Sequence, residues 1–141
     1  MSVDVETLEE SFDLVAPRGD ELMKTFYDRL FETAPAVQPL FADVDMERQR
    51  EALLNMLVVL RESLRDLDDI VPDLQDLGSR HVQYGAQPEH YPVVGEVLIA
   101  SMAEVAGDAW RPEYERAWDT AFAVVAGAML EGAAAAEARA A

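Results

Sequence analysis

No cysteine occurs in the 141 residues, so disulfides, thiolate nucleophiles and cysteine-held zinc or iron–sulfur centres are excluded. Histidine is nearly as scarce, and any imidazole ligand must be His81 or His90. Lysine occurs once, at Lys24, and the 11 basic residues face 28 acids, for a net charge of -17. A surface of that sign repels nucleic acid and anionic membranes, so neither is expected as a partner. No uninterrupted apolar run approaches the ~20 residues that span a bilayer. The longest, Ala121 to Leu130, reads as a buried helix. The opening Met1-Ser2-Val3-Asp4-Val5-Glu6 has neither a basic nor an apolar signal region, which points to a cytoplasmic protein. Asn-Gly and Asp-Gly hairpin turns are missing, as is any sustained alternation of apolar and polar residues.

What is present is apolar and helically spaced. Half of the residues are hydrophobic, which argues against disorder and for one folded domain with a full core. Val5, Leu8, Phe12 and Val15 form the stripe of a first helix that Pro17 ends. A second stripe runs through Leu22, Met23, Phe26, Tyr27, Leu30 and Phe31 and stops before Pro35. Pro35 and Pro39 impose a corner that turns Leu40 and Phe41 toward the interior. Asp43 or Asp45 caps the next helix, whose face carries Ala52, Leu53, Met56, Leu57, Leu60, Leu64 and Leu67. One turn back from Leu53, that face begins with a glutamine, Gln49.

Asp66, Asp68 and Asp69 read as a solvated acidic turn. After it, Pro72 opens a short helix that Gly85 closes in a left-handed conformation. Pro92 opens a long helix that Gly107 closes, and Pro112 opens the last, with Tyr114, Trp118, Phe122, Val125 and Met129 on its buried side. The alanine-rich stretch 132–141 is either a frayed extension of that helix or disordered, which gives a domain over 1–131 and a tail over 132–141. The fold class is all-α.

The helix from Pro72 to Gly85 places Leu74, Leu77 and His81 on one face, so His81 points inward. An imidazole in an apolar interior needs a partner, because an unpaired buried polar group costs about 1–3 kcal/mol. Two partners fit the spacing: a backbone carbonyl, or a metal such as a haem iron. His90, between Pro88 and Pro92, reads as an exposed turn residue. No Glu-x-x-His pair lies on an apolar face, so the acids read as solvated surface rather than as a carboxylate-bridged metal site.

Several stretches carry a resemblance when taken together. They are Phe26-Tyr27-Asp28-Arg29-Leu30-Phe31, the corner Pro39-Leu40-Phe41, Gln49-x-x-x-Leu53, Arg80-His81-x-Gln83-x-Gly85, His90-Tyr91-Pro92-Val93-Val94-Gly95, and Trp118. In order and spacing the chain resembles bacterial single-domain globins and is similar to the haem domain of flavohaemoglobins, over roughly Phe26 to Leu130. The resemblance implies the globin fold, with helices packed around a pocket for haem b. It makes His81 the proximal metal ligand, with Phe41 and Leu53 against the haem and Tyr91 beside the proximal histidine. It places Tyr27 and Gln49 on the distal side, with Leu53 as the apolar wall, where O₂, NO or CO would bind. Phe41 and Tyr27 can equally serve as ordinary core residues. Counted from Trp118, the glutamate of the flavohaemoglobin pattern falls on Ala133. Glu131 lies about 200° round the helix and cannot replace it without a shift of register. That departure argues against a strong electron push from the proximal side.

The resemblance implies a protein that reversibly binds O₂ and related diatomics. Nitric oxide dioxygenation is a second activity open to the same pocket. It would require a separate reductase, since no Gly-x-Gly-x-x-Gly fingerprint or flavin domain occurs in the chain. The alternative is a gas or redox sensor, or a regulatory domain, that acts through a protein partner.

Overall fold

The computed structural model describes residues 3–140; the opening Met1-Ser2 and the final Ala141 of the tail lie outside them. Six α-helices follow in order: α1 Val5–Val15, α2 Gly19–Thr33, α3 Met46–Glu62, α4 Leu67–Gln83, α5 His90–Ala106 and α6 Pro112–Ala140. Short 3₁₀ segments at Ala16–Arg18, Pro35–Phe41, Leu64–Asp66 and Gly107–Ala109 join several of them, and no strand occurs among the described residues. The all-α expectation therefore holds.

Local chemistry accounts for most boundaries. Asp4 caps α1 by accepting from the Thr7 N–H at 3.2 Å, and Asp45, rather than Asp43, caps α3 by accepting from the N–H groups of Glu47 and Arg48. At the end of α4 the Ala86 N–H reaches the His81 carbonyl at 3.0 Å and the Gly85 N–H reaches that of Val82 at 3.1 Å. This double closure needs a left-handed residue, and Gly85 supplies it with φ 89°.

Several sequence expectations need correction. Pro72 does not open its helix: α4 begins five residues earlier at Leu67, and Pro72 lies within it. The missing N–H falls near the exposed start of the helix, where water can serve the freed carbonyl, and Asp68 and Asp69 in the first turn favour the positive helix end. The acidic turn is exposed as expected but helical, formed by the 3₁₀ segment and the start of α4. Pro92 is the third residue of α5, where its lost donor had no intrahelical partner. Leu40 is 40% exposed and only Phe41 turns inward, because successive residues of a 3₁₀ helix stand about 120° apart. On α3, Ala52 also faces solvent.

The stretch from residue 132 onward continues α6 as helix through Ala140, with Gly132 and Ala133 buried. The apolar run Ala121 to Leu130 lies inside this longer helix. By length and composition Pro112–Arg139 could cross a membrane, yet Tyr114, Ala117, Trp118 and Ala121 are buried within the protein and make α6 a core helix.

The main core gathers Leu8, Phe12 and Val15 of α1, Leu22 and Phe26 of α2, Leu57 and Leu60 of α3, Met102 and Val105 of α5, and Trp118 of α6. One polar contact is sealed inside it. Ser11, wholly buried, donates to the Thr7 carbonyl at 2.8 Å and accepts from the Trp118 indole N–H at 2.8 Å. Charge stays on the outside, as in the Arg61 guanidinium that ties α3 to Glu9 and Asp13 of α1.

Helix α3 packs on α1, α2 and the Leu64–Asp66 segment, while α4 packs on α6 and that same segment; α3 and α4 do not pack on each other to a comparable extent. This division sets the helix that carries Gln49 and the helix that carries His81 against different neighbours. Replacement of Trp118 by Phe removes the donor to Ser11 and opens a small void. The expected loss is about 1–3 kcal/mol of stability, read from the urea midpoint; an unchanged midpoint would show that the bond contributes nothing.

Candidate functional site

Three of the singled-out residues meet where α2, α3 and the Pro35–Phe41 corner come together. Tyr27, 5% exposed, stands on the inner face of α2, and its hydroxyl oxygen accepts a hydrogen bond from Gln49 Nε2 at 3.0 Å. With that acceptor position used, the phenolic proton remains free to be donated elsewhere. Phe41, half-buried at the end of the 3₁₀ corner, sets the edge of its ring against Tyr27 at 5.8 Å and packs on Phe31 at 5.5 Å. Leu53, one turn beyond Gln49, is half-buried and packs against the main core. The side chain of Leu40 reaches across to Gly85, and so joins the corner to the end of α4.

Burial pushes the Tyr27 phenol above its ordinary value near 10, partly offset by the hydrogen bond from Gln49 and the positive charge of Arg50. At neutral pH the group is therefore an uncharged donor. Tyr91, buried at the start of α5, is raised in the same direction by burial.

His81 stands apart from this trio. It is half-buried, and its Nδ1 lies 2.7 Å from the carbonyl oxygen of Leu77, one turn back on α4. A carbonyl can only accept, so Nδ1 carries the proton and Nε2 keeps its lone pair. Both partners that the sequence left open therefore have a place: one ring nitrogen satisfies the main chain, and the other is a base without a hydrogen-bonded partner among the described residues. No hydrogen bond joins Tyr91 to His81 among those residues, and Glu131 is engaged by Gln75 at 3.1 Å, while the buried Ala133 offers no carboxylate. His90 sits at the first position of α5, where its Nδ1 accepts the Gln87 N–H at 3.0 Å and organises the turn.

The donor set tests what could be held here. No three His, Cys, Asp or Glu side chains converge among the described residues, so a bare metal ion lacks a ligand set. A single half-buried imidazole, with one ring nitrogen lacking a hydrogen-bonded partner among the described residues, fits a group that brings its remaining ligands with it, as a porphyrin does. Haem passes that test on chemistry.

Two neighbours went unassigned in the sequence. Tyr84, 59% exposed, sets its ring edge-on to His81 at 5.5 Å, and its spacing of three from His81 on one helix was a usable signal. Arg50 acts on Tyr27 across two helices, which no local pattern announces.

The raised phenol has a measurable consequence. The folded protein holds the Tyr27 proton more tightly than the unfolded chain does, so that stability is complete below pH 10 and is lost as pH rises through it. Tyr27→Phe is expected to flatten this alkaline loss in urea midpoints compared between about pH 8 and about pH 11. A slope identical to that of the wild type would place the Tyr27 phenol in a water-like setting.

Comparison with known proteins agrees with this architecture. The family described as Globin matches residues 24–129. A flavohemoprotein of Bacillus subtilis is 30% identical over 128 residues, 89% of this chain and 32% of its own length. One of Halalkalibacterium halodurans is 32% identical over 120 residues, 84% of this chain and 29% of its own length. The chain thus spans about a third of the curated relatives it matches. A bacterial globin from Campylobacter jejuni superimposes with a TM-score of 0.78 at 21% identity, over 92% of this chain and 93% of that one. An engineered carbene transferase from Rhodothermus marinus does so with a TM-score of 0.79 at 24% identity, over 94% and 95%. With the all-α architecture and the match over 24–129 taken together, the chain belongs to the globin family.

Proposed function

We propose that this globin holds haem b through His81 and reversibly binds O₂, NO and CO on the opposite side, under Tyr27 and Gln49. The observation that carries the reading is the 2.7 Å approach of His81 Nδ1 to the Leu77 carbonyl, which engages one ring nitrogen with the main chain and leaves Nε2 as the proposed ligand atom. Phe41 and Leu53 would line the group with apolar surface, and Tyr91 would bound the proximal side. The haem iron, when bound, supplies the site at which a diatomic gas is held.

The remaining chemistry belongs to the chain. Tyr27 keeps a neutral O–H in a place with little water, and Gln49 fixes the orientation of that hydroxyl by donating to its oxygen. A preorganised donor of this kind stabilises negative charge as it develops on a ligand and slows its escape. Oxidation of NO by O₂ to nitrate, with one electron from a reductase, is a further activity of the same pocket. The 141 residues contain no nicotinamide fingerprint, and the electron is proposed to come from a partner unit outside them. The relatives matched above are named flavohemoproteins, which supports a reductase as that partner. The acidic composition supports the expectation that neither anionic membrane surfaces nor nucleic acid is a partner.

Absorption spectra of the purified protein, ferric, reduced and CO-treated, test the reading directly. A Soret band that shifts on reduction and again with CO is expected, and no band after haem addition would overturn it. His81→Ala is expected to lose the wild-type spectrum. Tyr27→Phe is expected to raise the O₂ dissociation rate about tenfold, the value of one hydrogen bond of about 1.4 kcal/mol, in stopped-flow displacement by CO. Mixing the oxygenated protein with NO in the presence of a reductase should yield nitrate; no turnover would remove the enzymatic part.

A further inference from the structure

Gly78 lies one turn before His81 on α4, and its place admits no side chain. A Cβ there would fall 1.8 Å from the carbonyl oxygen of Met129 on α6. The approach is reciprocal at the next turn, where a Cβ on Gly132 of α6 would fall 1.9 Å from the carbonyl oxygen of Gln75 on α4. As residues rise from 75 to 78 on α4 they fall from 132 to 129 on α6, so the two helices run antiparallel and touch main chain to main chain over about one turn. Helix axes are ordinarily held about 8–10 Å apart by the side chains between them. Here a glycine on each partner removes that spacer. Gln75 Nε2 and Glu131 Oε2 close one flank at 3.1 Å.

The colliding atoms are backbone, so no change of rotamer can relieve an added methyl group; the helix would have to move. His81 is three residues beyond Gly78, about 60° round the helix from this contact. We infer that Gly78 and Gly132 are positioning residues that seat α4 against α6 and thereby fix where His81 Nε2 stands. The inference deepens the haem-binding reading and rests on it. It gives the first residue of the alanine-rich stretch a part in the site, through α4. Gly127, also on α6, has nothing within 4 Å of an added Cβ and supplies an internal control.

The test compares Gly78→Ala, Gly132→Ala and Gly127→Ala in the haem-loaded protein. Two readouts are taken: the iron–histidine stretching band of the reduced, ligand-free form by resonance Raman, and the rate of haem loss to an excess of a haem-scavenging apoglobin. The first two variants are expected to shift the band and to speed haem loss by about 10–100-fold, as when the support of a metal ligand is disturbed. Gly127→Ala is expected to match the wild type in both. Unchanged values in folded Gly78→Ala and Gly132→Ala proteins would overturn the inference. Leu8→Ala, in the core of α1, should lower the melting temperature without moving the band; a shifted band there would mean that general loosening suffices, and would also overturn it. If the glycine variants fail to fold, native-state hydrogen exchange on the wild-type haem-loaded protein decides. Residues 75–83 opening together with 126–133 supports the seat, and α4 opening alone refutes it. A wild-type chain that takes up no haem defeats the earlier reading and this one with it, whereas normal spectra with inert glycine variants defeat this one only.

Discussion

The short bond between His81 Nδ1 and the carbonyl of Leu77 is the constraint on which the site depends. It assigns the proton to one nitrogen, leaves the lone pair on the other and fixes the ring plane in one stroke. The bond exists only while α4 is regular at that point, and two features keep it so. Gly85 ends the helix with a left-handed closure that satisfies the last carbonyls, that of His81 among them. The glycine contact with α6 presses the same segment onto a long core helix.

Between α2 and α3, the Tyr27–Gln49 pair shows how the protein separates its polar groups. The chain carries 28 acids, yet ion pairs such as Arg61 with Glu9 and Asp13 lie at or near the surface. Inside, polar atoms are neutral and satisfied: Ser11 with Trp118, and Tyr27 with Gln49. A low-dielectric interior penalises a charged phenol and strengthens a neutral donor, so the burial that raises the Tyr27 pKa also suits it to donate. No ionised side chain is hydrogen-bonded to His81 among the described residues. Glu131 faces Gln75 and Ala133 carries no carboxylate, so the imidazole has a main-chain partner rather than an ionised one. A neutral arrangement of this kind suits reversible binding better than a strong electron push.

Much of the fold was legible because its signals are local. Asp45, Pro17, Gly85 and Gly107 act on the backbone within a turn of themselves, and the apolar stripes of α1, α2 and α6 need only the 3.6-residue period. Local reasoning failed where tertiary packing overrode it. Pro72 looked like a first residue but is carried inside α4, and Leu40 looked inward but lies outward on a 3₁₀ corner. The alanine-rich stretch holds no decisive local signal, since alanine favours helix but cannot anchor one; the docking of Gly132 on Gln75 supplies the anchor.

An all-helical chain without thiol chemistry and the family to which these pieces belong were both readable from the order of residues alone. Packing settled whatever depends on distance between residues far apart in the chain: that Gln49 reaches Tyr27 from another helix, that α3 and α4 pack on different neighbours, and that α4 rests on α6 at main-chain range. Helical period and capping are written in neighbouring residues, whereas a contact across 22 or 56 positions follows only once every intervening element has found its packing.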